Sequence, residues 1–278
     1  MLQWAAALTF FAMLSLFPAM LAIVSLLGLL GAAVLEPLIE NVSALAPGTA
    51  RDITLDALRT IETNRGDAGP AFALGLAAAL WSASAYVGAF IAAANVMSEV
   101  DEGRPVLKKL LVRVVLTVVL LALIALVALG VVLTGPIARE LGEIAGLGHA
   151  AVELWSYLKW PFLAAAVMAL LAVLYWASPN VRHPGWRWVT PGSLVAVALW
   201  IGVSLGFTAY VNNFASFNVA YGSIGGVLAF LVWLWLTNIA ILVGAELNSE
   251  IERTRAIEAG LRPPDATPFL PLRDSEAP

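Results

Sequence analysis

The sequence predicts an all-α membrane protein, a six-transmembrane-helix bundle with short amphipathic helices in its two longer external loops. Three observations carry this. Hydrophobic residues make up 61% of the 278 positions and charged residues only 12%, against roughly a quarter charged in ordinary soluble domains. The charges lie between long stretches that have none, and those stretches recur at the length of about 20 residues that a helix needs to cross about 30 Å of hydrocarbon. None of the stretches alternates residue by residue as a membrane barrel strand does.

In chain order, residues 1–35, 68–98, 114–138 and 160–181 carry no charge, and residues 188–245 form one longer unbroken run. Backbone polar groups must satisfy each other in lipid, so each of the first four runs is a helical span. The fifth holds two spans and a turn. That turn falls at residues 212–222, where Asn212, Asn213, Ser216, Asn218 and Tyr221 accompany a glycine cluster. The spans are therefore residues 4–31, 69–97, 110–135, 158–178, 190–213 and 223–247, within one membrane domain of residues 1–259. The first span is too long for the apolar core of a signal peptide and lacks a basic flank, so it is read as retained. The missing flank leads us to expect that a longer natural chain precedes Met1.

Orientation follows from lysine and arginine in the loops. Arg104, Lys108, Lys109 and Arg113 lie between spans two and three, Arg182 and Arg187 between four and five, and Arg253, Arg255, Arg262 and Arg273 after span six. The other side has only Arg51, Arg59, Arg65, Arg139 and Lys159, spread over longer, acidic segments. Both termini are thus expected in the cytoplasm of a multi-pass protein of the bacterial inner membrane. In the first outer segment, Thr49 and Asp52 make a capping pattern ahead of Ile53, Ala57 and Ile61 at helical spacing. In the second, Ile137, Leu141 and Ile144, then Ala151, Leu154, Trp155 and Leu158, suggest two more short helices. These form either an external cap or helices lying among the headgroups. Residues 260–278, with Pro263, Pro264, Pro268, Pro271 and Pro278, have lost periodicity and read as a disordered cytoplasmic tail.

Helices in lipid associate through small residues. Gly88 in span two, Gly202 and Gly206 in span five, and Gly222, Gly225 and Gly226 in span six are therefore expected on contact faces, and such faces allow a homodimer. Spans three and four are uniformly bulky and are assigned to lipid. Pro18, near the middle of span one, is expected to kink it.

The run Tyr221-Gly222-Ser223-Ile224-Gly225-Gly226-Val227-Leu228-Ala229-Phe230, continuing through Trp233 to Gly244-Ala245-Glu246-Leu247-Asn248, resembles the C-terminal signature of the YihY/BrkB family. The stretch from Phe10 to Pro18, Trp81-Ser82-Ala83-Ser84, and Ala177 to Asn180 fit the same resemblance, in order and over almost the whole chain. It implies a six-helix bacterial inner-membrane protein. Members of that family have carried the label ribonuclease BN, have been linked to complement resistance, or have been proposed to export lipids.

Chemistry can be weighed on the residues themselves. Metal-dependent phosphodiester hydrolysis needs clustered His, Asp or Glu. The chain has two histidines, His149 and His183, and the topology sets them on opposite sides. Glu99, Asp101 and Glu102 beside Arg104 read as a solvated loop. Without cysteine, thiolate chemistry and Cys-held metals are excluded. No enzymatic activity, cofactor, metal or nucleic-acid partner is expected.

The spans hold no ionisable residue at depth, which removes the relays of many proton-coupled pumps. Neutral polarity remains: Trp81, Ser82 and Ser84 in span two, Asn95 toward its cytoplasmic end, Asn212, Asn213 and Tyr221 at the turn, and Asn238 in span six. Together with Pro18 and Asn248 they are the candidates for a pathway among spans one, two, five and six, and each also reads as an ordinary interhelical tie. Glu246 is either a headgroup-level anchor or an inward gate paired with Arg104, Lys108 or Lys109. The expected function is transport or export of a lipid-like or small amphipathic envelope component, with membrane lipids as partners. The alternative is a scaffold for envelope integrity or serum resistance that transports nothing.

Overall fold

A computed structural model of the chain describes residues 1–30, 68–132, 149–182, 190–213, 217–260, 268 and 270–274. These form six helices: α1 (Leu2–Leu30), α2 (Ala68–Met97), α3 (Val106–Val132), α4 (His149–Ala177), α5 (Pro191–Asn213) and α6 (Phe217–Glu258). Each contains a stretch long and apolar enough to cross a membrane. Among the described residues the only β-type pairing is one antiparallel bridge between Val181 and Leu272. The chain is a multi-pass helical membrane protein.

Several elements run further than charge-free stretches indicate. The positions Leu154, Trp155 and Leu158, read as a separate short helix, continue unbroken into the fourth span through Pro161. A proline removes one backbone donor, and a helix packed in lipid and protein accommodates that loss. α6 continues to Glu258 because residues 248–258 stay helix-forming; Arg253 lies 4.0 Å from the Glu250 carboxylate one turn back. The short helices expected around residues 49–61 and from residue 136 to 148 lie outside the described residues. In the segment expected to be disordered, residues 270–274 pair with the rest of the protein, as described below.

Helix ends are locally specified. α2 stops in a Schellman turn: Val100 N donates to Asn95 O at 3.0 Å and Glu99 N to Val96 O at 3.1 Å, with Glu99 at φ 51°. A non-glycine residue in this left-handed region is strained, and the turn is held by burial of Val100 against Val181, Ala256 and Leu270. α5 starts with Pro191 at its first position and Thr190 as the cap. Ser193 N donates to Thr190 Oγ1 and Thr190 N to Ser193 Oγ, both at 3.1 Å. α6 ends at Gly260, φ 64°, where the left-handed turn costs glycine nothing.

The chain divides into two compact units, Phe10–Tyr86 and Met1–Thr9 with Val87–Pro278. In the first, α1 and α2 approach closely at Gly75, where an added Cβ would lie 2.8 Å from the Ala22 backbone nitrogen. In the second, α5 packs along α6 and α3 along α4. The tightest crossing joins Gly192 and Gly244: a Cβ on Gly192 would sit 2.0 Å from Gly244 O, and one on Gly244 would sit 2.5 Å from Gly192 O and 2.7 Å from the Tyr175 hydroxyl.

This corrects the expected contact faces. Gly202, Gly206 and Gly226 have nothing within 4 Å of an added Cβ. The closest α5/α6 approach lies instead where Asn248 ties the two helices by hydrogen bonds, while between Gly202 and Gly206 the helices are joined by Trp233 Nε1 donating to Ser204 Oγ at 3.1 Å. Gly88 does sit in a contact, its missing side chain making room for the Arg113 guanidinium, which lies 3.2 Å from an added Cβ. Gly225 is half-buried, and the surroundings of Gly222 lie outside the described residues. On α3, Leu107, Leu111, Val115 and Val118 are exposed together, an apolar surface suited to lipid.

Candidate functional site

The polar residues of the larger unit gather where α2 and α4 end, α5 begins and α6 runs toward its end. The loop after α2 turns back on itself. Glu102 accepts from Arg104 Nε at 2.6 Å and Nη2 at 3.1 Å, and from Asn95 Nδ2 at 3.0 Å. Arg104 Nη2 also donates to Ser178 O at the end of α4, 2.8 Å away. Asn95 Oδ1 accepts from Asn180 N at 2.8 Å. Of the acids read as a solvated loop, Glu99 and Asp101 are exposed, but Glu102 is only 19% exposed and the Arg104 side chain 1%. A guanidinium held so deep requires its bidentate carboxylate, since an unpaired buried charge is costly.

Residues 271–274 close the arrangement. Asn180 Nδ2 donates to Asp274 O at 2.8 Å, and Asp274 N donates to Asn180 Oδ1 at 3.1 Å. Arg182 N donates to Pro271 O, and Arg273 N to Asn180 O. Lys108 pairs with Asp274 at 2.5 Å. The Arg273 guanidinium lies over the Trp176 ring, 5.0 Å from its centre, and donates to Trp176 O. Burial holds Arg273 below its ordinary pKa, Arg104 lowers it further, and Asp274 opposes both.

Beside this knot, Asn248 joins α6 to the start of α5. Its Oδ1 accepts from Gly192 N and its Nδ2 donates to Thr190 Oγ1, both at 2.8 Å. Ser249 Oγ donates to Met97 O at 3.0 Å, and the Tyr175 hydroxyl to Ile241 O at 2.7 Å. Between these ties lies a cleft of about 590 Å³. Its lining mixes apolar Ala94, Met97, Ala172 and Ala245 with polar Asn248, Ser249 and Thr190, and Arg182, Glu252 and Arg255 line it as well. Leu270 and Pro271 form one edge.

The candidates read from sequence fall into three groups. Asn95 and Asn248 stand in this constellation. Asn238 is buried at mid-helix, where its Nδ2 donates to Thr9 Oγ1 at 3.1 Å and to Leu234 O at 3.0 Å, and Ser82 Oγ donates to Ala78 O in its own helix at 2.8 Å. Both act there as structural ties. Trp81 is 79% exposed, Pro18 lies within α1 and half-buried, and Ser84 is half-buried with its polar contact made. Glu246 is half-buried, and among the described residues no ion pair joins it to Arg104, which is held by Glu102, to Lys108, which pairs with Asp274, or to Lys109. The side chains of Asn212, Asn213 and Tyr221 lie outside the described residues, as does His183. Sequence reasoning missed Ser178, Asn180 and Thr190, each of which has a partner remote in the chain, and read Glu102, whose partners Arg104 and Asn95 are near it, as part of a solvated loop. Among the described residues no three His, Asp or Glu side chains are grouped to hold a metal ion.

Comparison with known proteins gives a consistent picture. The profile of the family described as virulence factor BrkB matches residues 1–267. A ribonuclease-like protein, YfkH, of Bacillus subtilis is 28% identical over 264 residues, covering 95% of this chain and 92% of its own. A UPF0761 membrane protein of Alkalilimnicola ehrlichii is 37% identical over 91 residues, 33% of this chain and 20% of its own length. Another, of Pseudoalteromonas translucida, is 35% identical over 91 residues, 31% of this chain and 30% of its own. No solved structure matches the chain.

Proposed function

The chain belongs to the virulence factor BrkB family, and we propose that it is a bacterial inner-membrane protein, both termini cytoplasmic, that transports or exports a lipid-like or small amphipathic envelope component. One observation carries this reading. The cleft of about 590 Å³ is lined by both apolar and polar side chains at the ends of membrane-length helices. A solute that is oily at one end and polar at the other fits such a lining. The route it suggests is bordered by α2, α4, α5 and α6, so the fourth helix replaces the first in the path first expected. The reading includes no enzymatic step, and the ribonuclease-like name of YfkH is not transferred.

The test is transfer itself. Vesicles reconstituted with the full chain and a headgroup-labelled phospholipid should expose inner-leaflet label to a membrane-impermeant quencher faster than protein-free vesicles. Equal rates would remove the transport reading. A second reading, a scaffold that transports nothing, draws on the Asn238 to Thr9 hydrogen bond, which ties polar groups together where an open path would leave them facing solute. Equal rates in that assay favour it.

A further inference from the structure

The polar groups lining the cleft differ in what they have left to offer. Asn248 is engaged through both ends of its amide, Ser249 Oγ binds Met97 O, and Thr190 Oγ1 accepts from Asn248 and Ser193. Glu252 has its own contact. The amides of Gly192 and Ser193 at the start of α5 are satisfied too. Three lining groups remain. The hydroxyl of Ser98, a residue only 6% exposed, has no hydrogen-bond partner among the described residues. The exposed guanidiniums of Arg182 and Arg255 have no ion-pair partner among them either. All three are donors, two carry positive charge, and the apolar residues Ala94, Ala172 and Ala245 line the same cleft.

We infer that this cleft binds the phosphate of an anionic membrane lipid, with Arg182 and Arg255 on the phosphate oxygens, Ser98 Oγ donating from the depth of the cleft, and the start of an acyl chain along the alanines. Guanidinium groups match phosphate oxygens in geometry and charge. The Ser98 hydroxyl, with no protein partner among the described residues, is free to donate to an oxygen that enters the cleft. The location suits a lipid: the cleft lies at the ends of spanning helices, the level at which a bilayer carries its phosphates. A soluble anion would use the arginines and leave the alanines uncovered. Glu252 on the same rim disfavours a second negative charge, which points to a singly charged headgroup.

This inference rests on the reading of the cleft as the solute's site, and binding separates the two. Delipidated full-length protein in neutral detergent should bind phosphatidylglycerol. Diacylglycerol of the same chains should compete poorly, and so should inorganic phosphate. Changing Arg182→Gln and Arg255→Gln together should weaken binding about tenfold or more with little effect on melting temperature, because both side chains are exposed. Ser98→Val, which fills the deep end, should weaken it independently. Unchanged binding in the folded double variant, or equal competition by diacylglycerol, overturns the site. Displacement by inorganic phosphate as effective as by lipid assigns it to a free anion and overturns the lipid. Normal binding without lipid transfer in vesicles overturns transport and leaves the site standing.

Discussion

Arg104 shows how much one side chain holds. Its guanidinium fixes Glu102, and through Ser178 O it fixes the end of α4. Arg104→Met should therefore destabilise the protein by about 3 kcal/mol, since it leaves a largely buried carboxylate without its partner. Arg104→Lys should recover only part of that, because an ammonium cannot make the fork. Both are read as melting temperatures in detergent. Ser178→Ala should behave oppositely: that hydroxyl is fully buried with no partner, so its removal should be neutral or stabilising by up to about 1 kcal/mol. A marked loss would mean the hydroxyl is used. None of this was legible beforehand. Arg104 and Ser178 stand 74 residues apart, and Asn180 and Asp274 stand 94 apart. The loop's mixture of acids and one arginine is also what a solvated loop contains. Asn95 and Asn248 were legible because a neutral amide at the end of an apolar run stands out.

At the level of helices, the spans were readable because hydrocarbon thickness imposes a length and permits few charges. The contacts between them were not. Gly202 and Gly206 have the four-residue spacing of a packing motif yet face open space, whereas Gly192 and Gly244 stand singly and make the crossing. Glycine spacing supplies the opportunity for close approach; the Asn248 ties select where it is taken. Gly244→Ala should force α5 from α6 and cost about 1–3 kcal/mol, while Gly202→Ala should be neutral or stabilise by up to about 1 kcal/mol through helix propensity. Comparable melting temperatures for the two variants would contradict the crossing. Glu99→Gly relieves the left-handed strain at the end of α2 but gives up the ion pair with Arg253 at 3.2 Å, a partly exposed contact of small worth. A modest rise in melting temperature, up to about 1 kcal/mol in stability, is expected.

For the molecule as a whole, the decisive prediction concerns sidedness. The chain has no cysteine, so single replacements can be labelled without background. With an impermeant thiol reagent on intact cells, Asp56→Cys should react, while Lys109→Cys and Glu258→Cys should react only after the membrane is opened. Labelling of Lys109→Cys and Glu258→Cys from different faces would break the six-crossing arrangement. The docking of residues 271–274 on Asn180 has a bearing on biogenesis. During translation every helix has left the ribosome before Asn180 and Lys108 can meet the segment that completes their bonding, so the knot is the last part of the larger unit to set. Premature termination just upstream of residue 270 would then yield chains that insert normally yet leave this end of the helices unsealed, a natural mark for membrane proteolysis.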